Sequence, residues 1–273
     1  MSAFPSTSLR DGERSRTVRV PPHLFARWGD FRDRMAAAKH LALVLDFDGT
    51  LVPIRRRPTQ ARLAGGTRRV LERLARRPRL NVFLVSGRRL ADLRRRAGVS
   101  GARFGGLHGW EKEGGRGGLP ELRRTFRALK RLLDRRLAGL RGIEIEDKGC
   151  ALSVHYRGAS RGTASRMQAI LGETLDSFDG RVRVLEGKKV WEVLPRENRG
   201  KGSAVRSLVK RMPPGTLTMY LGDDTSDEAA FAALRRAVTV FVGGGSVPTR
   251  AQYRLRGPAE VRRFLERLDG EIA

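Results

Sequence analysis

The sequence has almost no cysteine and no long run of apolar residues. Cys150 is the only cysteine among 273 residues, which excludes a disulfide framework and a zinc site built from cysteines. Since Cys150 lies in an apolar stretch, we expect a buried small side chain. No segment approaches the ~20 apolar residues that a membrane-spanning helix needs, and residues 1–22 lack the apolar centre of a secretory signal. We therefore expect a soluble, cytoplasmic chain with no membrane partner.

Acidic residues are few relative to basic ones. Lys and Arg together number 56 and Asp and Glu number 29, so the formal net charge is +27. Such an excess often indicates binding to a polyanion. The arginines are spread over nearly every predicted helix, however, and an arginine-rich genome produces the same pattern. We therefore expect no specific nucleic-acid partner. The hydrophobic content of 40% is sufficient for folded cores and excludes wholesale disorder.

Patterns of buried strands alternate with helical patterns in the first and last thirds of the chain. Continuous apolar runs at 41–47, 80–85 and 217–221 are typical of strands that are buried on both faces of a parallel sheet. An amphipathic helical pattern follows each of them. This order predicts an α/β fold with a parallel sheet and helices on both of its faces.

The middle of the chain has a different rhythm. After a glycine-rich segment at 105–118, which we interpret as a loop or hinge, the pattern reads helix, strand, strand and then repeats once. This block predicts an α+β module inserted into the first domain. We therefore predict a flexible N-terminal leader over 1–35, a core over 36–108 and 196–273, and a cap over 109–195.

Acidic side chains follow two of the predicted core strands. Asp46 and Asp48 end the first strand, and Asp223, Asp224 and Asp227 follow the run at 217–221. Ligands of open α/β sheets bind beyond the carboxyl ends of strands. Clustered carboxylates need a cation or a shared proton, and Mg²⁺ prefers oxygen ligands. A polar turn explains the first pair alone and helix capping explains Asp227 alone, but both groups together predict one shared metal site.

Two further predicted helix starts carry groups that suit a phosphate. Ser86, Gly87 and Arg88 offer a hydroxyl, backbone N–H groups and a cation after the second strand, with a plain N-cap serine as the alternative. Lys201 lies between two glycines at the start of a later helix, where the alternative is an ordinary solvated lysine. Its position directly after the predicted cap favours a role in the site.

Taken in order, these segments resemble the haloacid-dehalogenase-like (HAD) phosphatase superfamily, and the matching residues are 46–50, Ser86, Lys201 and 222–228. The resemblance implies a Rossmann-like parallel-sheet core with an inserted α+β cap of the C2B type. It implies that Asp46 is the nucleophile that forms an aspartyl-phosphate and that Asp48 protonates the leaving oxygen and then activates water. Ser86 and Lys201 are implied to hold the phosphoryl oxygens.

The resemblance also implies a Mg²⁺ ion. Its ligands would be the Asp46 carboxylate, the Asp48 backbone carbonyl and Asp223, with Asp227 in support. For Asp224, three roles remain open: a ligand, a partner of Lys201, or a supporting residue.

More specifically, the chain is similar to the trehalose-6-phosphate phosphatase family, on the segments at 106–111, 148–157, 187–195 and 200–202. This resemblance implies hydrolysis of trehalose 6-phosphate in trehalose biosynthesis. We expect a monomer, because the sequence shows no heptad seam or obvious association face. The residues implied to bind the substrate are Thr50, Ser86, Gly87, Arg88, His108, Glu111, Arg157, Lys188 and Glu192.

Two departures from the family pattern affect the sugar pocket. Trp110 and Trp191 stand where the family commonly has smaller or aliphatic residues, and Glu192 has an alternative interpretation as a solvent-facing strand residue. The alternatives are therefore a phosphatase for another sugar phosphate or a glycosyl-glycerate phosphate, and a non-catalytic protein that binds polyanions. The presence of both Asp46 and Asp48 argues against the last of these.

Overall fold

The computed structural model describes residues 20–55, 58–112, 120–187, 189–245 and 247–272. The chain divides into two compact units. The first, which we call the core unit, consists of residues 17–115 and 200–273, and the second, which we call the cap unit, comprises 116–199. None of the described helices is both long and apolar enough to cross a bilayer.

The secondary structure alternates in both units. The strands are β1 (His40–Leu45), β2 (Leu80–Val85), β3 (Arg103–Gly106), β4 (Glu111–Lys112), β5 (Glu144–Asp147), β6 (Leu152–His155), β7 (Val182–Gly187), β8 (Val190–Pro195), β9 (Thr216–Gly222), β10 (Val238–Val242) and β11 (Tyr253–Leu255). The α-helices are α1 (Trp28–Ala36), α2 (Gly65–Ala75), α3 (Leu90–Ala97), α4 (Pro120–Arg136), α5 (Arg161–Asp176), α6 (Gly200–Val209), α7 (Thr225–Ala233) and α8 (Pro258–Glu271).

The core unit is built on a seven-stranded sheet in the order β11-β10-β9-β1-β2-β3-β4, parallel except for β4. Strand β1 lies between β2 and β9 and is buried on both faces. Leu41, Leu43 and Leu45 pack with α1, α2, α3 and α8, whereas Ala42 and Val44 pack with α6 and α7. This two-sided burial is why the strand reads as a continuous apolar run. The prediction of a parallel sheet with helices on both faces is confirmed.

The prediction of a flexible leader over 1–35 is wrong for residues 24–35. Helix α1 follows a short 3₁₀ helix (Leu24–Arg27), and Trp28 and Phe31 are buried in the core unit. Their rings lie 6.1 and 5.7 Å from the ring of Phe264 on α8. Leu24, Trp28, Phe31 and Met35 form one apolar stripe at helical spacing, which is the reason that this segment folds. Residues 1–19 lie outside the described part of the chain.

The glycine-rich segment interpreted as a loop or hinge over 105–118 is ordered in its first half. Residues 103–112 form β3, a 3₁₀ turn and β4. A Cβ on Gly106 would lie 2.3 Å from the backbone nitrogen of Leu90, and one on Gly109 would lie 2.3 Å from Cβ of Ala204. These glycines therefore permit close packing rather than hinge motion. Residues 113–119 lie outside the described part of the chain.

The cap unit contains a four-stranded antiparallel sheet in the order β5-β6-β8-β7. One face of this sheet packs against α4 and α5 through a core that includes Phe126, Leu129, Val154, Trp191 and Val193. The predicted repeat of helix, strand, strand is confirmed, and Cys150 is buried, as expected.

Candidate active site

Asp46 and Lys201 meet at the carboxyl end of the core sheet. The backbone N–H of Asp46 donates to the carbonyl of Leu221 on β9 at 2.9 Å, which places Asp46 directly beyond two paired strands. Lys201, in the first turn of α6, donates from Nζ to Oδ1 of Asp46 at 2.6 Å and to Oδ1 of Asp227 at 2.8 Å. All three side chains are buried. The structure thus brings the predicted nucleophile and the predicted phosphate-binding lysine into direct contact.

Asp227 accepts four hydrogen bonds at the centre of this arrangement. Its Oδ1 accepts from Lys201 Nζ and from the Tyr220 hydroxyl at 2.6 Å, and its Oδ2 accepts from the backbone N–H groups of Asp223 and Asp224, both at 3.0 Å. A carboxylate has about four lone-pair positions, and four donors use them here. Asp227 is completely buried. It therefore holds Lys201 and the turn after β9 in place.

Asp224 contributes in a different way. Its carboxylate accepts from the backbone N–H of Thr225 at 2.8 Å and caps the N-terminus of α7. A capping carboxylate also interacts favourably with the positive end of the helix dipole. Of the three roles left open for Asp224, this contact supports a structural one.

The buried cluster carries more negative than positive charge. Carboxylate oxygens of Asp46, Asp223 and Asp227 lie within 4.8 Å of one another, and Lys201 is the cation that contacts two of them. Burial raises the pKa of Asp46 well above its usual range. Lys201 opposes this shift, and Asp227 and Asp223 add to it. Although burial disfavours a charged amine, Asp227 and Asp46 raise the pKa of Lys201 well above its usual value. When all three carboxyl groups are ionised, they and the one ammonium group leave two negative charges, which one divalent cation would neutralise.

The residues around Asp223 fit a small oxygen-liganded cation. Gly49 has a φ of +92°, and a Cβ on it would lie 2.1 Å from Oδ2 of Asp223. Only glycine therefore lets the loop that carries Asp46 and Asp48 approach this carboxylate so closely. Thr50, predicted to bind substrate, is buried and donates to Oδ1 of Asp223 at 3.4 Å. Clustered carboxylate oxygens of this kind can hold a metal ion.

Arg88 holds Asp48 in a two-point contact. Its Nε and Nη2 donate to Oδ2 and Oδ1 of Asp48 at 2.6 and 2.7 Å, and its Nη1 donates to Asp92 at 2.8 Å. Burial disfavours the charged guanidinium, but Asp48 and Asp92 raise its pKa above its ordinary value. The side chain of Asp48 is 36% exposed, whereas that of Arg88 is 9% exposed. The contacts of the Arg88 guanidinium are thus with groups of the protein, and its predicted contact with substrate stays a prediction.

Ser86 is buried directly beyond β2, with Gly87 between it and Arg88. Its Oγ accepts from the backbone N–H of Arg88 at 3.2 Å, and its carbonyl accepts from the backbone N–H of His108 at 2.8 Å. A hydroxyl that accepts one hydrogen bond keeps its own proton for a second. Ser86 can therefore still donate to a phosphoryl oxygen.

His108 and Glu111 lie beside this turn through backbone contacts. Leu107 and His108 both have a positive φ, +46° and +59°, and both are buried. Glu111 accepts from the backbone N–H of Leu90 at 2.6 Å and so caps the start of α3. The contact described for Glu111 is structural, and its predicted role in sugar binding stays a prediction.

The remaining predicted residues belong to the cap unit. Glu192 accepts from Lys148 Nζ at 2.8 Å and from Ser153 Oγ at 3.2 Å, and its side chain is 13% exposed. It alternates with Trp191 and Val193, so it lies on the sheet face opposite α4 and α5. Both its predicted role in sugar binding and its alternative interpretation as a solvent-facing strand residue stay predictions. Arg157 is exposed, and Lys188 lies outside the described residues.

Sequence reasoning missed three residues of these clusters. Tyr220 is a hydroxyl-bearing residue between two apolar residues of β9, which is a signal for a buried polar contact. Asp92 lies four residues after Arg88, at the spacing of helical ion pairs. Lys148 is a lysine in an apolar segment of the cap, and it is buried.

Comparison with known proteins connects these sites to one family. Residues 44–259 match the family model described as trehalose-phosphatase. The trehalose-phosphate phosphatase of Mycolicibacterium paratuberculosis is 34% identical over 257 residues, which cover 86% of this chain and 64% of that protein. The chain therefore spans slightly less than two thirds of the length of this curated relative.

Solved structures agree on the fold. The C-terminal domain of Candida albicans trehalose-6-phosphate phosphatase superposes with a TM-score of 0.76 at 24% identity, covering 93% of this chain and 99% of that one. Aspergillus fumigatus trehalose-6-phosphate phosphatase gives a TM-score of 0.64 at 27% identity, with 92% and 99% covered. Since the family match extends over most of the chain, the protein belongs to the trehalose-phosphatase family.

Proposed function

We propose that this chain is a Mg²⁺-dependent phosphatase that hydrolyses trehalose 6-phosphate to trehalose and phosphate. The observation that carries the proposal is the buried contact of Asp46 with Lys201, at the end of β1, in a chain of this family. The names of the relatives support the substrate, since both describe phosphatases of trehalose phosphate. The proposal assigns catalysis to 36–108 and 196–273 and specificity to 109–195.

The chemistry requires a nucleophile and a proton carrier. The Asp46 carboxylate attacks phosphorus, and the bond from phosphorus to the sugar oxygen breaks. Asp48, which enters this step as the carboxylic acid, gives its proton to that oxygen and becomes a carboxylate. Asp48 then takes a proton from water as the water oxygen attacks the aspartyl-phosphate. Inorganic phosphate leaves, and both Asp46 and Asp48 return to their starting states. The loop that carries Asp46 and Asp48 is held by hydrogen bonds from the N–H groups of Leu51 and Val52 to the Phe47 carbonyl. This supports separate, fixed positions for the nucleophile and the proton carrier.

Positive and polar groups orient the phosphoryl oxygens. Lys201, held by Asp227, offers an ammonium group beside the nucleophile, and Ser86 and the backbone at Gly87 offer donors at the end of β2. A bound Mg²⁺, held by Asp46, Asp223 and the Asp48 carbonyl, would neutralise negative charge on the transferring group. Thr50 keeps the Asp223 carboxylate oriented.

The cap supplies the proposed sugar-binding groups. Glu192, Lys148 and Ser153 form a polar cluster on one face of the cap sheet, where hydroxyl groups of a disaccharide can find both donors and acceptors. Arg157, Lys188, His108 and Glu111 complete the proposed set. Trp191, one of the two departures from the family pattern, is buried in the hydrophobic core of the cap unit. Its size is therefore a matter of cap packing.

The test is phosphate release from a panel of sugar phosphates, with Mg²⁺ and with EDTA. We expect trehalose 6-phosphate to be preferred and activity to disappear in EDTA. Asp46→Asn should lower kcat by at least about a thousandfold, because an amide cannot form the acyl-phosphate. Asp48→Asn should lower kcat by about 10²–10⁴-fold through lost proton transfer.

Each outcome bears on a different part of the proposal. Metal-independent phosphate release, or Asp46→Asn retaining more than a small fraction of activity, would overturn the site assignment. A preference for another sugar phosphate would overturn the substrate and leave the reaction class standing.

A further inference from the structure

The guanidinium of Arg88 is fixed by four of its five N–H groups. Two of these donate to Asp48, one to Asp92 and one to the carbonyl of Pro58 at 2.9 Å. The same guanidinium lies over the ring of Phe47, 5.6 Å from its centroid. Arg88 therefore contacts both Phe47 and Asp48 of the loop that follows Asp46. A planar fork held at four points has little freedom to rotate.

Asp92 anchors this fork from α3. Besides Arg88, it accepts from Arg96 Nε at 2.6 Å and from Arg95 Nη2 at 2.7 Å. Arg96 in turn donates to the carbonyls of Thr59 and Ala61 at 2.7 and 3.1 Å. Although burial opposes it, the three arginines lower the pKa of Asp92 to about 2, so it remains an anion at neutral pH. One carboxylate on α3 thus organises the cations that hold Asp48 and the segment at 58–61.

We propose that Asp92 is a positioning residue for the reaction: acting through Arg88, it aligns the Asp48 carboxyl group, which gives a proton to the sugar oxygen and then takes one from water. The inference rests on the proposed function, because it assigns Asp48 that role. Without Asp92, the Arg88 guanidinium loses its contact with α3 but keeps those with Asp48 and Pro58, so the direction in which it holds Asp48 becomes less fixed. Misplacement of a catalytic group by about 1 Å costs on the order of a hundredfold in rate.

A leaving-group comparison separates this role from a structural one. The sugar oxygen of trehalose 6-phosphate leaves as a poor, strongly basic group and needs a proton from Asp48. The p-nitrophenolate of p-nitrophenyl phosphate leaves readily without one. A defect confined to proton delivery therefore slows phosphoenzyme formation from the sugar phosphate only, whereas a general disturbance of the site slows it from both substrates.

The experiment compares Asp92→Ala and Asp92→Asn with Arg95→Ala in the full chain. Arg95→Ala is the matched control, because it removes one partner of Asp92 but does not contact Arg88, and Arg95 is 72% exposed. Rapid quench with trehalose 6-phosphate and the burst of p-nitrophenolate measure the rate of the first step for each substrate. If Asp92→Ala fails to fold, Asp92→Asn, which keeps the shape and one acceptor oxygen, decides the question.

We expect Asp92→Ala to lower kcat for trehalose 6-phosphate by about 10–100-fold with KM changed less than about threefold. Asp92→Asn should recover part of this loss, and the burst rate with p-nitrophenyl phosphate should stay within about twofold of wild type. Equal losses on both substrates, or losses no greater than those of Arg95→Ala, would overturn the inference. Absence of phosphate release by the wild-type protein would instead refute the proposed function.

Discussion

Asp227→Asn tests whether one buried carboxylate holds the site together. Asp227 is 0% exposed and accepts from Lys201, Tyr220 and two backbone N–H groups. An asparagine keeps one acceptor oxygen. It replaces the second carboxylate oxygen by an NH₂ group, which then faces the donors that this oxygen had accepted from. Each hydrogen bond to a charged group contributes about 1.5–3 kcal/mol, and breaking a buried ion pair costs about 3–5 kcal/mol. Since these contributions are not additive, we expect the core unit to lose about 3–5 kcal/mol.

The stability loss of Tyr220→Phe is a reference for the loss expected of Asp227→Asn. It removes one donor and leaves three on Asp227, so the expected loss is about 1.5–3 kcal/mol. Tyr253→Phe, a partly buried tyrosine on the edge strand β11, is the control and should change stability by less than about 0.5 kcal/mol. The order of effects, Asp227→Asn above Tyr220→Phe above Tyr253→Phe, is as informative as the individual values.

Native-state hydrogen exchange of the β1 and β9 amides, measured in EDTA, reports on the core unit alone. A loss of 3–5 kcal/mol accelerates the slowest of these amides by roughly a hundredfold to a few thousandfold. An Asp227→Asn effect below about 1 kcal/mol, or equal to that of Tyr220→Phe, would refute the argument that the carboxylate charge organises the four donors.

Two further predictions concern pH and the cap. Because the folded-state pKa of Asp46 is raised above its unfolded value, the contribution of Asp46 to metal-free stability should fall as pH rises above about 4. The difference in unfolding free energy between wild type and Asp46→Asn, measured in urea, should show this fall in EDTA but not in saturating Mg²⁺. A difference that rises with pH would contradict the prediction. Glu192→Gln should lower kcat/KM for trehalose 6-phosphate by about tenfold or more and leave kcat/KM for p-nitrophenyl phosphate unchanged. The control is Glu144→Gln, at an exposed position of β5 in the same sheet. Equal losses on both substrates would assign Glu192 a role in folding.

The sequence predicted the central strands well because their burial is two-sided. Strands β1, β2 and β9 are continuous apolar runs that contrast with polar neighbours, and each ends at a residue of the site. Strands β3 and β4 escaped prediction because both are short. Strand β3 also ends in two glycines, and the second of them, Gly106, packs against the backbone of Leu90. Helix α1 was missed because charged residues interrupt an apolar stripe whose partner, Phe264, lies more than 200 residues away.

For the candidate site, the sequence predicts which strand ends come together but not the contacts that are made there. Strand ends place Asp46, Ser86 and Asp223 at one edge of a sheet, which follows from topology alone. The partners chosen there do not follow from topology. The Arg88 guanidinium contacts Asp48, and Asp227 accepts four hydrogen bonds. Both arrangements depend on side-chain geometry between segments that are far apart in sequence. Local sequence patterns do not predict the orientations of these side chains.

The position of β1 has a consequence for how the chain is made. Its partner on one side, β2, is synthesised soon afterwards, but on the other side 176 residues separate the paired His40 and Thr216. At about 5–20 residues per second, a ribosome needs roughly ten to thirty-five seconds to supply β9. During that interval one edge of the most apolar strand lacks its native neighbour, and exposed strand edges are templates for aggregation. The inserted cap unit therefore lengthens the period in which the nascent core most needs protection by a chaperone.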